Sequence, residues 1–211
     1  DLNKISDTEL VVCVDENDVP EHFFVSIDRG VKNVLKDTLR ATIEQLERLH
    51  AESTCRQFEL SEKYASKECL NLTLNFEGLE RIRSLFNSEG WEESSDVLNH
   101  LRNLSFYVGV FRDQAQKKII GVRRATQFKG ILGARNRIMR LVDDTLHVLP
   151  DDLFKIDYDF DFIVCDEVVY ILRPSGFEYI AALHETAAEK AKEKTLELGQ
   201  SISFIDFSGL A

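Results

Sequence analysis

Apolar residues recur in two rhythms along the chain. Val31, Val34, Leu35, Leu39, Thr42, Ile43, Leu46 and Leu49 fall at helical spacing, which predicts an amphipathic helix of about 20 residues capped by Asp28. Before it, "ELVVCV" (9–14) and "HFFVSI" (22–27) read as short strands split by the turn "DENDVP". After it come a strand in "ECLNLTLNF" (68–76), a short helix marked by Leu79, Ile82, Leu85 and Phe86, and a further helix in "SSDVLNHLRNL" (94–104) capped by Ser94 or Ser95. "SFYVGVFRD" (105–113) and "KKIIGVRRATQF" (117–128) form the clearest β pair, joined by "QAQ" as an antiparallel hairpin.

"LGARNRIMRLVDD" (132–144) reads as a helix, and "LFKID" (153–157), "FDFIVCD" (160–166) and "EVVYILR" (167–173) as strands. The last two meet at a tight turn on Asp166 and Glu167. A long helix follows over 174–199, with Ser175 and Glu178 as a capping box and Gly199 as its C-cap. Hairpins between early and late helices, without regular βαβ alternation, predict an α+β fold: a largely antiparallel sheet with helices on one face. Residues 1–100 are expected to form an N-terminal α+β region and 101–200 a hairpin and helix region. Residues 201–211 read as the start of a C-terminal region, so that both ends of a chain opening at Asp1 are expected to continue.

Composition sharpens the functional side. The 211 residues carry a formal net charge of −11, with 44% hydrophobic and 30% charged positions, as expected of a globular protein. No apolar run reaches the roughly 20 residues of a membrane span, so no direct membrane insertion is expected. The charge is segregated: residues 112–140 hold nine Lys or Arg and one acid, Asp113, for a net of +8 against −19 elsewhere. Such asymmetry points to an anionic partner. The candidate contacts are Lys117, Lys118, Arg123, Arg124, Lys129, Arg135, Arg137 and Arg140. Side chains alternate along a strand, so Arg123 and Arg124 cannot share a face. On a helix, Arg135, Arg137 and Arg140 would lie together on the polar side. Phosphate backbone contact fits this set better than base stacking, because aromatic residues are sparse within it.

Other chemistry is thinner. Asp157, Asp159 and Asp161 alternate in "DYDFDF" and, on a strand, would form a solvated acidic face. Asp161, between Phe160 and Phe162, is expected to be partly buried and to satisfy backbone N–H groups. Asp159, Asp161 and Glu167 are the acids a Mg²⁺-dependent nuclease would use, the enzymatic alternative. Cys13, Cys55, Cys69 and Cys165 show no CxxC or CxxH spacing, which suggests reduced thiols and no zinc site. With no HExxH, GxSxG, Walker or GxGxxG motif, no catalytic residue, metal or cofactor is assigned.

One stretch carries a resemblance. In "LPDDLFKIDYDFDFIVCDEVVYILRPSGFEYI" (149–180), the order and spacing of Phe154, Asp157, Phe160, Asp161, Phe162, Asp166, Tyr170, Ile171, Phe177 and Glu178 resemble the KwaB family, the cytoplasmic component of the bacterial Kiwa anti-phage defence system. The likeness is close over about 30 residues and loose over about 100. It implies a self-associating, DNA-binding defence protein that works with a membrane-embedded partner, KwaA, and is recruited by it to the inner membrane. It implies no catalytic residues. A structural adaptor whose basic strip docks on an acidic protein is the remaining alternative.

Overall fold

The computed structural model describes residues 2–16, 19–60, 62–93, 104–125, 139–142, 145–148 and 155–183, the two segments between 139 and 148 by their backbone alone. After a 3₁₀ turn at Leu2–Lys4 come strands β1 (Ile5–Glu16) and β2 (Val19–Val25), helix α1 (Arg29–Glu52), and strands β3 (Arg56–Gln57) and β4 (Leu70–Thr73). Helix α2 (Glu80–Asn87), β5 (Glu92–Glu93), the hairpin β6 (Leu104–Asp113) and β7 (Lys118–Arg124), and the pair β8 (Met139–Val142) and β9 (Thr145–Val148) follow. Strands β10 (Phe162–Cys165) and β11 (Val168–Ile171) and helix α3 (Pro174–Ile180) complete the described chain.

Among the described residues nine strands form one sheet in the order β3-β4-β11-β10-β7-β6-β1-β2-β5. Among these described strands the short edge pairs β2–β5 and β3–β4 are parallel and the other pairs antiparallel. The fold is therefore α+β on a mostly antiparallel sheet whose central strands come from the second half of the chain and are flanked on both sides by strands of the first, β1 beside β6 and β4 beside β11.

The helices divide between two faces rather than covering one. Leu35, Leu39 and Leu46 of α1 pack with Leu10, Val12, Tyr107 and Phe111. On the opposite face Ile82 and Leu85 of α2 and Phe177 and Ile180 of α3 pack with Phe106, Val108, Val110, Val122 and Phe162. The reason is visible in β6, whose first eight residues are all buried, a run and not an alternation, so both sides of the central strands need cover. Each fully buried Leu or Phe contributes about 1.5–3 kcal/mol, which makes these two layers the main source of stability.

Local chemistry explains the boundaries. The Asp28 carboxylate accepts the Val31 N–H at 2.8 Å and caps α1. The turn between β10 and β11 has positive φ at both Asp166 (50°) and Glu167 (63°), the twist a two-residue antiparallel connection requires. The capping box foreseen at Ser175 is not formed. Arg173 is the N-cap residue and Pro174 takes the first helical position, where its missing N–H is harmless. Helix α3 stops at Ile180, and Ala182 turns left-handed with φ 55°, so the long helix foreseen over 174–199 does not run through. Residues 184–199 of that stretch, residues 94–103 of the helix foreseen over 94–104 and the region from 201 onward lie outside the described residues, and Leu104 opens β6 instead.

Candidate nucleic-acid interface

Arg123 and Arg124 end β7 and point to opposite faces, as alternation demands. Arg124 is exposed. Its N–H donates to Asp161 Oδ2 at 2.7 Å, and its guanidinium carbon lies 3.7 Å from the centroid of the Tyr179 ring on α3. The Tyr179 hydroxyl is 3.2 Å from Ser105 Oγ on β6. A guanidinium held flat on an aromatic ring keeps its outer N–H groups free for an anion and has less rotamer freedom left to lose on binding than a free side chain.

Arg123 turns inward to a cluster of carboxylates. Its Nη1 reaches Asp161 Oδ1 at 2.5 Å and Asp159 Oδ1 at 3.9 Å, while its Nε lies 3.4 Å from Asp157 Oδ2. Asp159 is also gripped by Arg173 Nη1 at 2.6 Å and Lys67 Nζ at 2.9 Å, and accepts Gln45 Nε2 at 2.7 Å. Lys67 donates in turn to Gln45 Oε1. Lys155 Nζ meets Asp157 Oδ1 at 2.6 Å. Asp159 and Asp161 are only 3% and 2% exposed, so this network of three carboxylates and four cations has a buried centre, with Lys67 and Lys155 half-buried at its margin.

The two innermost acids are tuned apart. Burial alone would raise the Asp159 carboxyl, but the Lys67 and Gln45 hydrogen bonds and the Arg173 charge outweigh it and hold the group below the usual carboxylate range. At Asp161 burial prevails and pushes the carboxyl up, against the Arg123 charge and the Arg124 N–H. Burial works against the Arg123 guanidinium, yet the charges of Asp161, Asp157 and Asp159 keep it firmly protonated.

Residues 155–161 reach this position as an irregular segment between α1 and the sheet. The Asp157 N–H donates to the Tyr107 hydroxyl and the Phe160 N–H to Thr42 Oγ1, both at 2.8 Å. Only at Asp161 does the backbone join the sheet, its N–H donating to Val122 O at 2.8 Å. Two glycines make room. Gly121 lies directly opposite Gly109, and a Cβ on Gly121 would sit 2.4 Å from the Phe160 ring. A Cβ on Gly176 of α3 would sit 2.3 Å from the Asp161 carboxylate carbon. These gaps let a bulky ring and a carboxylate come close to backbone.

The remaining candidate cations are scattered. Lys117 is exposed beside Asp166, 2.7 Å away, and that hydrogen bond raises its pKa. Lys118 donates to Ser88 O at 2.9 Å and lies over the Phe86 ring, where burial lowers its pKa. Lys129, Arg135 and Arg137 lie outside the described residues. Arg140 falls on strand β8, paired with His147 of β9, so the helix foreseen over 132–144 does not extend through 139–142. The solvated acidic face foreseen for Asp157, Asp159 and Asp161 is corrected to a buried, ion-paired cluster. The backbone bonds given to Tyr107 and Thr42 hold this segment out of strand conformation. Glu167 does not join those acids, because the five-residue step along β10 from Asp161 to the turn spans roughly 16 Å. The partners of the cluster missed in the sequence, Lys67, Gln45 and Arg173, carry no local signal, since they arrive from the approach to β4, from α1 and from the N-cap of α3.

The fold and site together define an α+β protein in which a buried ion network braces an arginine displayed at the root of a basic segment. Residues 101–209, just over half the chain, match the family described as Kiwa protein KwaB-like, and the chain belongs to that family, a component of the Kiwa anti-phage defence system. No curated protein and no solved structure matches the chain. Among the described residues no helix is long and apolar enough to cross a membrane.

Proposed function

We propose that this chain binds DNA through its phosphate backbone, without reading sequence, as the nucleic-acid-engaging part of a Kiwa defence complex. The observation that carries the proposal is Arg124, exposed and stacked on Tyr179 at the point where the chain enters the basic segment 126–140, while Arg123 beside it neutralises the nearby acids. The +8 of residues 112–140 supplies attraction, and the −19 of the remainder repels the duplex elsewhere and so orients it. Lys129, Arg135, Arg137 and Arg140 extend the contact. Arg123 contributes by position, Lys118 contributes less because it is tucked against α2, and Lys117 has to leave Asp166 to take part. Family membership supports a cytoplasmic homo-oligomer recruited to the inner membrane by a membrane-embedded, KwaA-like partner.

The test is duplex binding by the full chain across a salt series. Five or six phosphate contacts give a log–log slope of about −5. Arg124→Ala is expected to make the slope shallower by about 1 and to leave the melting temperature unchanged. The triple change Arg135→Glu, Arg137→Glu, Arg140→Glu is expected to abolish the gel shift. A wild-type protein with no salt-dependent DNA affinity overturns the proposal.

A further inference from the structure

On the face opposite α2 and α3, at the β3–β4 end of the sheet, a cavity of about 370 Å³ opens between α1 and the strands. Its wall holds His50, Cys55 and Cys69. His50 closes the last turn of α1, Cys55 immediately precedes β3 and Cys69 immediately precedes β4. The donor atoms of the three residues all lie within 4.8 Å of one another. The Cys55 N–H donates to His50 Nδ1 at 3.2 Å, which places the ring beside the sulfurs, and a cation ligated by Nδ1 takes over that lone pair from the N–H. Arg56 N–H bonds to Cys69 O at 3.1 Å, which fixes the two cysteines relative to each other, with their Cα atoms 4.8 Å apart. In the structure the two sulfurs are joined as a disulfide.

We propose that Cys55, Cys69 and His50 form a site for a thiophilic divalent cation of the zinc class, available when the disulfide is reduced and closed when it is formed. Two thiolates and an imidazole are the donor set that such a cation prefers, and three protein ligands leave its fourth position to the cavity, where Glu47, Asn71 and Tyr170 line the wall. A sulfur in a disulfide has no thiolate to donate, so the same two residues serve either the metal or the bond, never both. Reduction by a phosphine delivers two electrons to the sulfurs. The phosphine takes the oxygen of one water and its two protons leave two thiols. Cation uptake then releases those protons to solvent. The site is independent of DNA binding, because it draws on none of the basic residues.

The experiment uses the full chain reduced with a phosphine and titrated with Co²⁺, whose thiolate charge-transfer absorption reports sulfur ligation directly, and with Zn²⁺ in competition. Wild type is expected to bind one Co²⁺ per chain with that absorption, and to lose it on oxidation by hydrogen peroxide, which takes two electrons from the thiols and yields the disulfide and water. The double variant Cys55→Ser, Cys69→Ser is expected to show no such band, although it keeps Cys13 and Cys165. His50→Gln, on an exposed ring, is expected to bind at least about tenfold more weakly and to keep part of the band. In the reduced wild type Zn²⁺ is expected to raise the melting temperature, an effect reduced in His50→Gln. Reduced wild type without thiolate absorption, or a His50→Gln variant with unchanged affinity, overturns the proposal.

Discussion

Two ion-paired regions lie at opposite ends of strand β10. At one end Asp159 and Asp161, almost fully buried, face Arg123, Arg173 and Lys67. At the other, Lys117 and Asp166 meet at 2.7 Å in open solvent. The distances are similar, yet the consequences are not. In water the surface pair exchanges one set of hydrogen bonds for another and is screened by salt. In the interior the two carboxylates have surrendered almost all of their hydration, so they depend on their partners, and removing the most deeply placed one, Arg123, strands the charge it faces. The buried cluster thus fixes where the irregular segment 155–161, β7 and α3 sit, and through the Asp161–Arg124 backbone bond it fixes the exposed arginine as well.

The largest effect is expected from Arg123→Ala. It leaves Asp161 with the Arg124 N–H as its remaining donor and is expected to cost about 3–5 kcal/mol, lowering the melting temperature by roughly 6–20 °C. Adding Asp161→Asn to that variant is expected to recover part of the loss, because it removes the stranded charge. Thermal or urea unfolding measures both, and a cost at Arg123 no greater than at Arg124 would erase the distinction between the two ends of β10.

Next in size is Gly121→Ala. The new methyl meets the Phe160 ring at 2.4 Å, and because Asp159 and Asp161 are its neighbours in the chain, a shift of that residue disturbs the charged ones too. Overpacking of this kind costs about 1–3 kcal/mol. Phe160→Leu in the Gly121→Ala background tests the mechanism, since relief of the clash is expected to restore part of the lost stability.

How much of this was legible beforehand depends on how far apart the determinants lie. The β6–β7 hairpin, α1 with its Asp28 cap and the turn at Asp166 rest on neighbours in sequence, and periodicity found them. The opposite facing of Arg123 and Arg124 followed from strand alternation alone. The acidic segment misled because alternation was applied where there is no strand. Its backbone is held by the hydroxyls of Tyr107 and Thr42, 50 and 118 residues away. The flanking phenylalanines did signal burial at Asp161, which holds a backbone N–H as foreseen. Nothing within the segment could announce Lys67 or Arg173. The same distance effect hid the meeting of His50, Cys55 and Cys69, whose spacing matches no local metal motif.

A subtler contrast is expected with pH. Asp159 has its carboxyl held below the ordinary range, so folding favours its ionised form. Its contribution is fully present above the unfolded value of about 3.9 and is lost as pH falls through the lower folded value. The stability difference between wild type and Asp159→Asn is therefore expected to be largest near neutrality and to shrink below about pH 4. Asp161, whose carboxyl is raised, contributes with the opposite sign and favours the fold toward acid. Denaturant titrations at several pH values separate the two, and an Asp159→Asn penalty that grows on acidification contradicts the assignment.

The smallest effect belongs to the surface pair. Asp166→Ala frees Lys117 without exposing any buried charge, and the melting temperature is expected not to move. The positive φ at residue 166 does not confound the result if Asp166→Asn is measured alongside, since asparagine tolerates that conformation better than alanine and also lacks the charge. What is expected to change is DNA affinity at low salt. Lys117 loses its internal partner and the acidic side of the hairpin tip loses one charge, so a polyanion binds slightly more tightly and with a steeper salt slope. A gain in affinity with no change in stability is the signature of a solvent-exposed pair competing with an external anion. A loss of stability comparable to that of Arg123→Ala would mean that the hairpin tip, too, is held by its charges.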